Sequence, residues 1–284
     1  MIIASMGYFV RRMLSVRLML VISQTVFMML MMRRKIWRNI IAISFVVVSA
    51  LTFAADAERE CVAFVCAHPD DLAGCSGTAL LLAERFDVRV IDFTRGEYGL
   101  GEAGYRDGSC AKLRMAEERA ACAMLGTEPY FLCETNYCGE KAYAGRKVTK
   151  QLTDIFKELK PRAVILHWPL DTHPDHVQST AAALHAIYLA EIKPEIYFQE
   201  QTTQSRSFQP AYYVDITRVK DRKDKLIMCY KCQKPESMRR RKEEDAIFRG
   251  RRIGVKYAEA FGVYEGSVKA NHSIFNEINP TGIR

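Results

Sequence analysis

The stretch CVAFVCAHPDD, residues 61–71, joins a short apolar strand, Cys61–Cys66, directly to a histidine and two aspartates. The stretch AVILHW, residues 163–168, has the same apolar character and is followed by the polar cluster Asp171–His176. Continuous apolar strands are typical of a parallel sheet that is buried on both faces. In open α/β sheets ligands bind beyond the carboxyl ends of the strands, so these two polar loops are expected to converge on one cleft.

Strands and helices are predicted to alternate from about residue 60 onward. The apolar segments predict strands at 61–66, 88–93, 130–133, 163–168, 195–198 and 211–215. The segments between and after them predict helices at 76–85, 111–125, 145–159, 174–190, 219–231 and 235–252. This order indicates an α/β fold in a single domain, with a mostly parallel sheet and helices on both faces. The domain is expected to span residues 58–267, and the polar residues 268–284 are expected to form a surface tail.

The net charge of +8 comes almost entirely from residues 1–54, which contain seven Lys and Arg and no Asp or Glu. Because the remainder is close to neutral, binding to nucleic acid is not expected. The basic run Arg239–Lys242 is followed at once by three acidic residues, 243–245. This pattern favours a solvated helix face over a phosphate-binding patch.

The amino-terminal segment has the order of a secretory signal peptide, with a basic segment at 33–38 and an apolar stretch at 39–53 that ends in small residues. We therefore expect residues 1–54 to be a leader that directs export, to the periplasm or to the outside of the cell. A second apolar run at 18–32 leaves two alternatives, a translation start near Met31 or a hairpin of two short segments that attaches the protein to a membrane. Amino-terminal sequencing of the mature protein tests cleavage, which retention of residues 1–50 would refute.

All nine cysteines follow residue 60, and the odd number leaves at least one without a disulfide partner. Cys133 and Cys138 are close enough in sequence for a small disulfide. Cys229 and Cys232 have C-x-x-C spacing, and we expect them to face a helix interior or, if the protein is exported, to pair with each other. One such pair is not a four-ligand zinc site, and no cysteine is expected to be catalytic.

The two polar loops contain more metal-binding side chains than one site needs. A catalytic divalent metal takes about three protein ligands and keeps one position open for water. Three of the six histidines and a pair of aspartates fall in these loops, at His68, His173, His176, Asp70 and Asp71. One aspartate can bind the metal while the other acts as a general base, and the residues alone leave open which does which. In the same way, one of the two later histidines can bind the metal while the other faces a substrate.

Each loop on its own could instead be a turn in which an aspartate caps the next helix. We favour the metal site because both loops follow strands of one α/β domain. Asp175 is expected to cap or orient the helix that begins near Pro174, with support of a metal-binding histidine as an additional role. Glu97 is expected to anchor a turn or loop.

Five motifs, in order along residues 60–265, make this chain similar to the PIG-L / LmbE-like family of N-acetylglucosaminyl deacetylases. They are Ala67–Asp71, Thr94–Glu97, Leu113–Arg114 with Glu117, His173–His176 and Tyr257–Phe261. The two His-Pro-Asp motifs are the specific part of the match. Members of this family remove acetyl groups from N-acetylglucosamine-containing substrates with zinc on a Rossmann-like fold. The resemblance implies the same fold, metal and reaction for this chain.

The resemblance also implies roles for individual residues. It makes His68, Asp71 and His176 the zinc ligands, although Fe²⁺ or another divalent ion suits the same ligands. Asp70 becomes the general base. His173 becomes the residue that, as imidazolium, steadies the oxyanion or protonates the leaving amine.

The resemblance makes Arg114 a substrate contact, whereas the sequence alone equally allows a surface helix residue paired with Glu117 or Glu118. The chain departs from the family pattern at Leu72–Gly77, which is about one residue shorter than in many members and lacks their glutamate. The expected partner is therefore an amino sugar or glycan of open identity. Two other classes remain, a zinc amidase acting on a non-sugar N-acyl compound and a carbohydrate-binding relative with little turnover.

Overall fold

The structure is a computed structural model of the chain, and it describes residues 59–100, 108–132, 145–269 and 272–278. The expected leader at 1–54 and the expected Cys133–Cys138 disulfide lie outside the described residues. In the described part of the chain, none of the helices combines the length and the apolar character needed to cross a membrane. Cys229 and Cys232 are both free thiols, so the expected alternative of a disulfide between them is wrong.

A seven-stranded sheet forms the centre of the described domain. Its strands are β1 (Cys61–Cys66), β2 (Asp87–Asp92), β3 (Tyr130–Phe131), β4 (Ala163–His167), β5 (Glu195–Gln199), β6 (Tyr212–Asp215) and β7 (Ala258–Val263). Their spatial order is β3-β2-β1-β4-β5-β7-β6. The first five are parallel to one another, while β7 runs antiparallel to both β5 and β6. The mostly parallel sheet is confirmed, and β7 is a strand that the sequence analysis does not predict.

Helices cover both faces of this sheet, as predicted. They are α1 (Ser76–Leu82), α2 (Ser109–Ala123), α3 (Arg146–Leu159), α4 (Pro174–Leu189), α5 (Lys220–Ile227), α6 (Pro235–Ile253) and α7 (Ile274–Ile278). Because successive side chains of a strand point to opposite faces, Phe64 and Val65 of β1 belong to two different apolar cores. One core includes residues of α1, α5 and α6, and the other includes residues of α3 and α4.

The chain reverses its direction of travel across the sheet between β1 and β4. It runs from β1 outward to β2 and β3, and then returns to place β4 on the other side of β1. Such a reversal point, at the carboxyl ends of the strands, is where open α/β sheets bind ligands. The loops that follow β1 and β4 are the two polar loops of the sequence analysis, so the topology brings them together.

The carboxyl-terminal residues correct one prediction. The expected surface tail 268–284 is wrong for its described part, because α7 inserts Ile274 and Phe275 into the first core, where both are buried. The Phe275 ring lies 4.4 Å from the Tyr197 ring and 4.7 Å from the Phe261 ring, centroid to centroid. These two apolar side chains attach the segment to the core. The residues around them are mostly polar, so the sequence does not predict this attachment.

Candidate functional site

The loop after β1 turns sharply at His68–Asp71. Asp71 Oδ2 accepts the backbone N–H of His68 at 2.8 Å, and a short 3-10 turn, Asp71–Gly74, follows. Between them Asp70 has a φ of 107°, in the left-handed region that residues with a side chain rarely adopt. The two adjacent aspartates therefore differ in backbone conformation, since Asp70 has a positive φ and Asp71 begins the 3-10 turn.

The loop after β4 leads directly into α4. Pro174 is the first residue of this helix, where its missing N–H costs no hydrogen bond. His173 caps the helix, since its Nδ1 accepts the backbone N–H of Asp175 at 3.3 Å. Asp171 Oδ1 in turn accepts the backbone N–H of His173 at 2.8 Å. The start of the helix thereby buries Asp175 and His176 in the cleft between the two loops.

The structure brings His68, Asp71 and His176 together, with one possible ligand atom of each within 4.8 Å of the others. His68 Nδ1 lies 3.4 Å from Asp71 Oδ2, and His176 Nε2 lies 3.4 Å from Asp71 Oδ1. Ligand atoms bound at about 2.1 Å in a tetrahedral zinc site are about 3.4 Å apart. These three residues therefore fit a divalent metal.

The other nitrogen of each imidazole faces a carboxylate. His68 Nε2 lies 2.9 Å from Asp175 Oδ2, and His176 Nδ1 lies 3.3 Å from Asp171 Oδ1. Carboxylates in this position orient a metal-binding histidine and fix its tautomer. Nδ1 of His68 and Nε2 of His176 are therefore the atoms that would bind a metal.

A second set of three residues, His68, His173 and Asp175, is also close enough to hold a cation. In this set His68 Nε2 and Asp175 Oδ2 are already within hydrogen-bond distance, and His173 Nδ1 accepts the N–H of Asp175. These contacts favour a supporting role for Asp175 over a role as metal ligand.

The electrostatics of the cluster favour added positive charge. Burial alone lowers the pKa of His68, but hydrogen bonds to Asp175 and Asp71 raise it to about 9. Burial likewise opposes protonation of His176, yet Asp71 and Asp171 raise its pKa to about 10. The pKa of Asp71 lies well below its usual value, because the neighbouring imidazoles outweigh the effect of burial. A divalent cation can replace the protons that the two imidazoles would otherwise bind.

Asp70 lines the same cavity, and its carboxylate is bound to α2. Arg114 Nη2 lies 2.6 Å from Asp70 Oδ1, and it also donates to the carbonyl oxygen of Pro69. Since only 6% of Arg114 is exposed, its interpretation as a surface helix residue is wrong. Burial raises the pKa of the Asp70 carboxyl, and the guanidinium of Arg114 opposes this rise. A raised pKa suits a carboxylate that has to accept a proton.

The loop with the Arg-Gly-Glu motif covers Arg114. Glu97 accepts hydrogen bonds from the backbone N–H and the side chain of Arg95, so it anchors the loop as expected. Gly96 has a φ of +65°, and a Cβ there would lie 2.7 Å from both Cδ and Nε of Arg114. A glycine is thus required where the loop backbone lies against the arginine.

We expect Gly96→Ala to reduce turnover of an N-acetyl substrate by about 10-fold to 100-fold, because displacement of Arg114 would move Asp70. The matched control is Gly254→Ala, which has a similar φ of +73° but no heavy atom within 4 Å of the added Cβ. Turnover and bound metal are measured for both variants. Equal losses of turnover in the two variants would show that backbone strain, and not Arg114, is responsible.

A cavity of about 630 Å³ opens over the cluster. It is lined by the two loops and Arg114, and also by residues 201–204 and part of α6. Lys242 donates to Gln201 Oε1 at 2.8 Å, and the amide of Gln201 donates to the carbonyl of Asp71 at 2.9 Å. The solvated helix face predicted for Arg239–Lys242 is therefore wrong for Lys242, whose side chain forms part of the cavity wall.

His167, the last residue of β4, is a residue of the site that was not predicted from the sequence. Its Nε2 accepts the backbone N–H of Ala67 at 3.1 Å and lies 3.2 Å from Asp71 Oδ2. Its ring stacks on that of His176 with centroids 4.0 Å apart, and burial lowers its pKa to about 4. The signal that could have revealed it is its position at the carboxyl end of the strand beside β1. Asp171 belongs to the second polar cluster, but its contact with His176 was not predicted from the sequence either.

The sequence is similar to those of known proteins. The profile of the PIG-L family, described as GlcNAc-PI de-N-acetylase, matches residues 63–187, a span that contains both loops. Diacetylchitobiose deacetylase of Thermococcus kodakarensis is 25% identical over 218 residues, which cover 70% of this chain and 81% of that protein. The 1D-myo-inositol 2-acetamido-2-deoxy-α-D-glucopyranoside deacetylase of Gordonia bronchialis is 31% identical over 192 residues, which cover 55% of this chain and 67% of that protein.

Solved structures share the fold. N,N'-diacetylchitobiose deacetylase from Pyrococcus horikoshii has a TM-score of 0.63 at 24% identity, with 74% of this chain and 85% of that chain covered. GalB, the 4-carboxy-2-hydroxymuconate hydratase from Pseudomonas putida, has a TM-score of 0.63 at 22% identity, with 75% and 100% covered. Because a deacetylase and a hydratase share this architecture, the fold alone does not decide the reaction.

Proposed function

Because this chain belongs to the PIG-L family, we propose that it is a metal-dependent hydrolase that removes the N-acetyl group from an N-acetylglucosamine-type amino sugar or glycoconjugate. One observation carries the proposal. Two imidazoles and one carboxylate from distant loops converge, while a second carboxylate, Asp70, stays outside this set at the same cavity. Hydrolysis by an activated water requires these two parts, a set of metal ligands and a separate carboxylate that can act as a general base.

The donor set supports zinc, with Fe²⁺ as the alternative, held by His68 Nδ1, His176 Nε2 and the carboxylate of Asp71. Bound there, the metal would polarise the acetyl carbonyl and lower the pKa of a coordinated water. Asp175 and Asp171 support the two imidazoles from behind, so the metal-facing nitrogens are oriented before the metal binds.

Asp70 is the proposed general base. It takes a proton from the attacking water as the water oxygen bonds to the acetyl carbon. The same proton then passes to the amine nitrogen as the C–N bond breaks, which gives the free amine and acetic acid. The acid loses the second water proton to the amine, so that acetate and the protonated amino sugar leave. Asp70 returns to the carboxylate form, and each turnover consumes one water molecule.

His173 is the proposed donor to the oxyanion. Because its Nδ1 accepts the N–H of Asp175, the ring proton of the neutral form lies on Nε2. Burial, together with the charges of His68 and His176, lowers the pKa of His173, which disfavours the imidazolium that the resemblance implies. We therefore propose that His173 acts as a neutral hydrogen-bond donor. Arg114 also lines the cavity, and contact with substrate is proposed beside its bonds to Asp70.

The cavity supports a polyhydroxylated substrate. Its volume lies within the range of about 300–1,000 Å³ that is usual for small-molecule sites. The segment Gln201–Gln204 contributes only amide and hydroxyl side chains to the wall, beside basic and acidic side chains of α6. These groups can exchange hydrogen bonds with sugar hydroxyls without a fixed charge on the substrate.

A panel of N-acyl compounds tests the proposed function. Zinc-loaded protein is incubated with N-acetylglucosamine, its disaccharide, a GlcNAc-inositol and N-acetyl amino acids, and released acetate is measured. We expect acetate from the amino sugars only. Release from the amino acids alone would indicate the non-sugar amidase, and sugar binding without acetate would indicate the low-turnover relative.

A further inference from the structure

Asp70 holds a backbone conformation that needs support from outside the turn. Its φ of 107° and ψ of −18° lie where a side chain is disfavoured, and no cap hydrogen bond from its own side chain holds it there. Rotation of the Pro69–Asp70 peptide would let the residue relax, and it would also swing the carboxylate away from its present position. The direction of the proposed base therefore depends on what holds this one peptide unit.

Helix α2 holds both polar groups of that peptide. Glu118 Oε2 accepts the N–H of Asp70 at 3.0 Å. Arg114, one helical turn earlier, donates to the carbonyl oxygen of Pro69 and to Asp70 Oδ1. The two side chains therefore fix the orientation of the peptide through its donor and its acceptor.

Glu118 is a carboxylate that solvent does not reach, so solvation does not explain why a charged residue occupies this position. It is fully buried, and besides the N–H of Asp70 its carboxylate meets the Cys122 thiol at 3.3 Å and the hydroxyl of the buried Tyr230. Burying a carboxylate is costly unless its hydrogen bonds compensate for the lost water. Of these three partners, only Asp70 belongs to the proposed catalytic site, and the Cys122 thiol is a weak donor.

We propose that Glu118 is a positioning residue, which accepts the N–H of Asp70 and so holds the general base in its strained, productive orientation. The inference rests on the proposed function, because it assigns Asp70 as the base. It requires only a hydrogen-bond acceptor at this position, so a glutamine whose Oε1 occupies the same place should largely replace the glutamate.

Four variants test this. Glu118→Leu removes the acceptor, and Glu118→Gln keeps one. The matched controls are Glu117→Leu and Glu117→Gln, because Glu117 is a buried carboxylate on the same helix that instead accepts the N–H and thiol of Cys232, each at 3.0 Å. For each variant, kcat, KM and bound zinc are measured with the best substrate of the panel.

We expect E118L to lower kcat by about 100-fold, the cost of an ångström-scale misplacement, with KM and one bound zinc retained. E118Q should keep kcat within about fivefold of the parent, and both Glu117 variants should keep the parent kcat. The inference is overturned if E118L keeps kcat, if it loses zinc, or if E118Q is as impaired as E118L.

Crystal structures of the two Glu118 variants separate this inference from the proposed function. The φ of Asp70 should leave the positive region in E118L and remain there in E118Q, whether or not any acetate is released. A parent protein without deacetylase activity would refute the function alone. An unchanged Asp70 in E118L would refute the positioning role alone.

Discussion

Replacement of Asp70 by asparagine is expected to lower kcat for deacetylation by about 100-fold to 10,000-fold, the usual contribution of a general base. Asparagine has the shape of aspartate and keeps an oxygen for the guanidinium of Arg114, so the turn should survive. It cannot accept a proton from water at neutral pH. Acetate release by purified, zinc-loaded protein measures the effect.

Zinc content decides how this result is interpreted. Asp70 lies outside the set of His68, Asp71 and His176, so Asp70→Asn should bind one zinc per chain as the parent does. Near-full turnover in this variant would show that another group is the base. A loss of zinc together with turnover would show that Asp70 is itself a ligand.

His68→Ala is expected to weaken zinc binding by at least about 100-fold, the effect that loss of even a supporting contact can have. The substitution removes the nitrogen that faces Asp71, and it also removes the partner of the buried Asp175. A buried carboxylate without its partner costs about 1–3 kcal/mol, so the variant should also unfold at a lower temperature.

The matched control for this prediction is His185→Ala, since His185 lies exposed on α4. It should bind zinc and unfold like the parent. Competition with a coloured chelator gives the zinc affinity, and calorimetry gives the unfolding temperature. Unchanged zinc affinity in His68→Ala would remove this histidine from the site.

Local patterns predicted most of the fold, because buried parallel strands carry their own signal. The apolar runs of β1 and β4 and the helices between strands could be found from residues close in sequence. Strand β7 could not, because its Glu259 interrupts the apolar run. In the structure this glutamate is buried, where it accepts the N–H groups of Gly77 and Thr78 and pairs with Lys223 at 2.6 Å.

The candidate site could be located from the sequence, but without the family resemblance the residues alone leave open which of Asp70 and Asp71 binds the metal. Asp70 and Asp71 are the same residue type at adjacent positions. The structure distinguishes them, because Asp70 contacts Arg114 and Asp71 contacts the imidazoles. His167 and Glu118 contact these aspartates from elements that are distant in sequence. Contacts of that kind depend on packing, which no local pattern records.

Zinc titration of the metal-free protein, followed by acetate release from an N-acetylglucosamine substrate, tests the central claim most directly. If the two loops share one cation, activity should be absent without metal, rise in proportion to added zinc, and level off at one zinc per chain. Full activity in protein stripped of metal would contradict the account, as would a rise that levels off only at two zinc ions per chain.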